Sequence, residues 1–221
     1  GVSRGDVPGL HESLPLLQMT PGWAKQTINN LERVARAQSL LRLTSLASGS
    51  MQGSDLGFEI KVFDIVEHRP IEWGSGGLTL RDGQKVGVQL KNSGNQSLDV
   101  TLFYVDSAYG ITCLYPDIGE INRLSSGDQQ QIDLSVNAKT TGIENVVAIV
   151  VRSEGQPVDF SILEQPSISQ ASLRGFGDGA LSTPLGELCR SSIYGTGGTR
   201  GVERKHVQDY GVTMISWRIQ P

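Results

Sequence analysis

Residues 78–163 form a series of short apolar runs, cut at close intervals by turn-forming residues. The runs read L-T-L, K-V-G-V-Q-L, L-D-V-T-L-F-Y-V, I-T-C-L-Y, Q-I-D-L-S-V, V-V-A-I-V-V and V-D-F-S-I-L. Between them fall R-D-G, N-S-G-N, D-S-A-Y-G, S-S-G-D, T-T-G and S-E-G. Alternation of apolar and polar residues places one face of an extended chain inward, and several such strands at this spacing predict an antiparallel sandwich or barrel. F-E-I-K-V-F-D-I-V-E at 58–67 reads as an earlier strand, and G-V-T-M-I-S-W-R-I at 211–219 as a closing one. The expected fold is mainly β. It is an antiparallel immunoglobulin-like β-sandwich with a long N-terminal helix and an irregular insertion before the last strand.

The helix is expected to open at Thr20-Pro21, with Thr20 as cap and Pro21 in the first turn, where its missing N–H costs nothing. It should run to about Ala47, before Gly49 and Gly53. At ~100° per residue, Ile28, Leu31, Val34, Ala35, Gln38 and Leu41 share one face. Leu40 and Leu43 fall elsewhere, on the side of the basic residues. A helix packed on a single sheet has no need of that second apolar side, so Leu40 and Leu43 are candidate contacts for a partner. Residues 1–53 read as a tail and linker helix, and 54–221 as the β domain. Because the last strand returns to the sheet, the whole is expected to be one domain.

From 166 to 204 the alternation fails, apart from a helix-start signal at Thr183-Pro184 that predicts a short helix over 183–193. The stretch 195–201, G-T-G-G-T-R-G, is dense in glycine. Ordering such a loop is entropically costly and opening it is cheap. Its one basic residue makes Arg200-Gly201 a candidate processing site, against the plainer reading of a flexible connector.

The formal net charge is -4, whereas a nucleic-acid-binding domain is usually basic; no nucleic-acid partner is expected. No run approaches the ~18 apolar residues of a membrane span, and no signal peptide is visible. The two cysteines, Cys113 and Cys189, form no disulfide framework, and their count neither requires nor forbids a bond between them. It fits a reducing, cytoplasmic setting. Cys113, inside I-T-C-L-Y, reads as a small buried hydrophobe. Cys189 lies late in its short helix, where the helix dipole disfavours a thiolate. The three histidines, His11, His68 and His206, stand at no metal-ligand spacing from one another or from a cysteine. No catalytic residues, metal or cofactor are therefore expected. Neither glycine cluster, G-S-G-G or T-G-G-T-R-G, has the strand-to-helix setting of a phosphate loop. Arg4-Gly5-Asp6 spells an adhesion tripeptide, a pattern short enough to arise by chance.

One longer pattern resembles a known group. The stretch from L-R-D-G-Q-K-V-G-V-Q-L-K-N through L-F-Y-V-D-S-A-Y-G-I-T-C-L-Y-P-D, then I-N-R-L-S-S-G and G-I-E-N-V-V-A-I, is similar to a bacterial domain of unknown function often found after caspase-like peptidase domains. The matching positions are Gly83, Asn92, Leu102, Tyr104, Val105, Asp106, Gly110, Leu114, Tyr115, Pro116, Asn122, Gly127, Gly142 and Glu144. L-E-R-V-A-R-A-Q-S-L-L-R-L resembles the linker helix behind such peptidases, and the closing strand also fits. The resemblance covers about residues 28–165 and the C-terminus. It implies a non-catalytic accessory module that binds, senses or regulates, with an upstream caspase-like domain or another protein as partner. The caspase-like signature itself, a histidine followed by glycine and a cysteine in a D-x-C or Q-A-C context, is absent here. The alternatives are a self-cleaved C-terminal subunit of the peptidase assembly, or a stand-alone adhesion-type sandwich. No oligomeric state follows from the sequence.

Overall fold

The computed structural model describes residues 21–47, 53–71, 77–137, 142–168 and 209–220. Helix α1 spans Trp23–Ala47. The strands are β1 (Phe58–Asp64), β2 (Arg69–Pro70), β3 (Leu78–Arg81), β4 (Lys85–Asn92) and β5 (Leu98–Val105). They continue with β6 (Ile111–Tyr115), β7 (Arg123–Leu124), β8 (Gln129–Ser135), β9 (Gly142–Arg152) and β10 (Tyr210–Gln220). Two sheets result, one of four strands in the order β2-β1-β4-β8 and one of six. The latter runs β3-β10-β9-β5-β6, with β7 also pairing β5. All pairings are antiparallel except that of β3 with β10, where Leu78 lies opposite Trp217 and Arg81 opposite Gln220.

Burial explains why the two sheets differ in sequence. The four-stranded sheet buries one face only: Phe58 and Val62, Val86, Val88 and Leu90 point inward, while Lys61, Lys85, Gln131 and Asp133 face solvent. The six-stranded sheet is covered on both faces. Leu98, Val100, Leu102, Val146, Ala148 and Val150 join the inward residues of the other sheet in one core. Phe103, Val105, Val147, Ile149 and Val151 point the other way, into a second core that includes α1. A strand buried on both sides loses its polar alternation, which is why V-V-A-I-V-V is an unbroken apolar run.

On the solvent face of the smaller sheet, Gly87 lies opposite Phe63. A Cβ at Gly87 would stand 2.3 Å from the tip of the Phe63 ring. The phenyl group thus covers the glycine across the strand pair, in the manner of an aromatic shielding a bare backbone.

Helix α1 reaches Ala47 as expected, but it opens at Trp23 rather than at Pro21, because Gly22 has a φ of +98° that a helix does not accommodate, and its buried face only partly matches the anticipated one. Val34, Ala37, Leu40, Leu41 and Leu43 are buried, whereas Ile28, Leu31 and Ala35 are exposed. Leu40 and Leu43 belong to the same apolar cluster as Phe103, Ile149 and Val212. They are accounted for within the chain, which corrects the expectation that they contact a partner. The cause is where the helix docks. Gln165 Nε2 donates to Arg33 O at 2.9 Å and to Tyr109 O at 2.7 Å, holding mid-helix to the β5–β6 turn. The C-terminal half therefore sinks into the core over a wide arc.

Two strand expectations are also corrected. V-D-F-S-I-L is not a strand: Asp159 Oδ1 accepts the Ser161 N–H and its Oδ2 accepts the Ser161 hydroxyl, both at 2.8 Å. That local bonding curls the segment into a short 3-10 turn over Ser161–Leu163 and drops Phe160 into the second core. β1 stops at Asp64 rather than 67, because Asp64 Oδ1 accepts the N–H groups of Val66 (2.9 Å) and Glu67 (3.0 Å). Among the described residues no helix is long and apolar enough to cross a membrane.

Candidate functional site

The positions that carry the sequence resemblance turn out to hold the fold together. Asn92 is buried and donates Nδ2 to Gln96 O (2.8 Å), Leu124 O (3.0 Å) and Ser125 O (3.1 Å), while its Oδ1 accepts Gly94 N–H (3.0 Å). One amide thereby ties the β4–β5 loop to the segment after β7. Asp106 Oδ1 accepts Ala108 N–H and Gly110 N–H, both at 2.8 Å, and its Oδ2 takes the Ser167 hydroxyl. Gly110 must lack a side chain, since a Cβ would stand 2.4 Å from Asp106 Oδ2. Asn122 Nδ2 donates to Val158 O at 2.7 Å. β6 ends at Tyr115, and the Tyr115–Pro116 peptide is cis.

Cys113 carries a free thiol, half-buried rather than fully so. Burial, with Glu164, Asp159 and Asp117 nearby, pushes it up to about 12. Its backbone N–H donates to Glu164 Oε1 at 2.6 Å. A nucleophilic cysteine needs the opposite setting, a cationic one that favours thiolate. His68 sits exposed in the β1–β2 turn with φ +51°. Among the described residues no three His, Cys, Asp or Glu side chains come together to hold a metal. Cys189, His11, His206, Arg200, Gly201, the 183–193 helix and the Arg4-Gly5-Asp6 tripeptide lie outside the described residues.

The structure assembles a polar groove that no local motif announces. It has a volume of about 610 Å³ and is lined by Gln96, Ser97, Arg123, Arg152, Ser153, Glu154 and Gly155. Behind the lining residue Arg123 lies Asp99, whose fully buried carboxylate meets Arg123 Nε at 2.8 Å. Asp99 Oδ2 also accepts Val158 N–H at 3.1 Å, and Arg123 Nη2 donates to Gly155 O at 2.7 Å. Arg152 pairs with Asp209. Each guanidinium group is thus paired with a carboxylate, Arg123 with Asp99 and Arg152 with Asp209, and Glu154 adds a further acidic residue to the lining. The groove is therefore no anion trap. It is an open, hydrogen-bonding surface suited to a polar peptide segment rather than to an apolar small molecule, which needs an enclosed, largely apolar pocket. A charge inside an otherwise apolar strand, as Asp99 is in L-D-V-T-L-F-Y-V, was the available sequence signal.

A second polar group lies deeper. Glu144, in β9, is 1 % exposed and points into the core between the sheets. The Tyr104 hydroxyl donates to its Oε2, and Trp217 also hydrogen-bonds the carboxylate. Burial pushes the carboxyl up to about 7 despite the bond from Trp217. This group is enclosed by its own neighbours and presents no opening to a substrate.

No family model matches the chain, and no curated protein matches it. Among solved structures it is similar to part of a β-glucosidase from Listeria innocua in complex with laminaribiose, at 14% identity and a TM-score of 0.20. That match covers 43% of this chain and 14% of the glucosidase. It is also similar to an alkylpurine DNA glycosylase from Pseudomonas fluorescens bound to DNA with an abasic-site analog, at 16% identity and a TM-score of 0.24. There 59% of this chain and 35% of the glycosylase are covered. The chain thus spans 14% and 35% of these two proteins, and superpositions this loose transfer neither fold nor function.

Proposed function

We propose that this chain is a non-catalytic accessory module of a bacterial caspase-like peptidase, built on an immunoglobulin-like sandwich and acting in a reducing compartment by binding protein. The observation that carries the reading is the stretch F-Y-V-D-S-A-Y-G-I-T-C-L-Y-P-D, followed by N-R-L-S-S-G and G-I-E-N. Two features of the structure support it. The exposed polar groove beside Arg123 and Arg152 offers a surface for a peptide segment. The Cys113 thiol is held protonated, which suits a module that leaves peptide cleavage to a neighbour.

The test has two parts. The complete reading frame around this chain should encode an upstream caspase-like domain with its His-Gly and cysteine signature. Calorimetric titration of the isolated chain against that domain should then show binding, weakened by Glu154→Lys in the groove. A complete reading frame without a caspase-like domain overturns the proposal.

A further inference from the structure

Proteins normally guard the outer strand of a sheet with proline, charged side chains (lysine above all), a bulge or a covering loop. β8, at one edge of the four-stranded sheet, has of these only the charge of Asp133 among the described residues. Its seven residues, Q-Q-Q-I-D-L-S, pair with β4 in unbroken register from Lys91↔Gln129 to Lys85↔Ser135. Gln129, Gln131, Asp133 and Ser135 are exposed, and no described strand pairs with the far side.

The direction of the backbone groups follows from the two ends of the ladder. Val136 donates its N–H to Gln84 O at 2.9 Å, and Asp128 O accepts Asn92 N–H at 2.9 Å. Alternation along the strand then turns the even-numbered residues' N–H and C=O groups toward β4. The groups of Gln129, Gln131, Asp133 and Ser135 point to the free edge.

We propose that β8 is a homodimer interface, with β8 of a second copy adding antiparallel about a two-fold axis at Ile132. The strand is self-complementary in that register. Gln129 falls opposite Ser135 of the second copy, Gln131 opposite Asp133, and Ile132 opposite Ile132. All the outward backbone groups then lie in hydrogen-bonded pairs. Gln131 Nε2 already donates to Asp133 Oδ1 of its own strand at 2.7 Å; across the axis each amide meets the other copy's carboxylate instead. On the inner face Ile132 and Leu134, half-buried against the core of one chain, continue into their counterparts. The product is one eight-stranded sheet.

Sedimentation equilibrium of the 221-residue chain measures this directly, with a species of twice the 23.8 kDa chain mass expected. Gln131→Pro removes an N–H from the free edge alone and should give a monomer that keeps its circular dichroism, since edge positions tolerate proline. Charge variants give a second readout that does not depend on the proline variant folding. Gln131→Lys, opposite Asp133, should tighten the dimer about fivefold, and Gln131→Asp should loosen it about fivefold, from two symmetric cross-strand pairs. A wild-type chain that stays monomeric at high concentration overturns the proposal. So does a dimer on which Gln131→Lys and Gln131→Asp act in the same direction.

Discussion

Replacing Glu144 by glutamine should change how the stability of this protein responds to pH. The carboxyl is almost fully enclosed between the sheets, and Tyr104 and Trp217 bond to it. Burial raises it from 4.5 to about 7, so the folded chain holds that proton more tightly than the unfolded chain does. The contribution is fully present below about 4.5 and is lost as pH rises through about 7. Moving a carboxyl over that interval corresponds to about 3 kcal/mol. A glutamine side chain does not titrate, so the difference in unfolding free energy between the two proteins isolates this one group from every other titrating residue. Relative to its value at pH 4, the Glu144→Gln variant should gain up to about 3 kcal/mol on the wild type by pH 8.5. A constant offset is expected beneath that trend, because the new amide NH2 must find an acceptor in the core. Urea unfolding of both proteins across pH 4 to 8.5 gives the measurement. A difference that is flat with pH, or that favours the wild type increasingly at alkaline pH, would refute the burial argument.

Asn92→Ala should lower stability by about 2–3 kcal/mol in the same assay, since three carbonyls and one N–H lose a buried partner together. Gly57→Ala should cost about 1–3 kcal/mol. Its φ is +76°, and a Cβ there would stand 2.5 Å from the backbone of Gly94. Cys113 should resist alkylation by iodoacetamide at pH 8 in the folded chain and react on unfolding, followed by mass analysis of its peptide; rapid labelling of native protein would contradict the raised thiol.

The mainly β class of the chain was legible in its residue pattern. A period of two in runs such as L-T-L, K-V-G-V-Q-L and Q-I-D-L-S-V, with R-D-G, N-S-G-N and D-S-A-Y-G between runs, leaves few options besides short antiparallel strands. Proline likewise marked the end of I-T-C-L-Y, at Tyr115. These signals are local: they act through the φ angle, the missing N–H or the direction of neighbouring side chains, and need no distant partner. Features that depend on pairing emerged only with the assembled sheets. β3 lies parallel to β10 across more than a hundred residues of chain, a choice that no local pattern encodes. The apolar run V-D-F-S-I-L lost its strand to the side-chain oxygens of Asp159, and α1 turned a different face inward because Gln165 and the β5–β6 turn hold it. The groove is assembled in the same way, from residues 96–97, 123 and 152–155. Asp99 could be read as an oddly placed charge, but its partner Arg123 came next to it only when β7 paired with β5. Strand order and register are set by which apolar faces can be buried together, and that is a property of the assembled sheets rather than of any one segment.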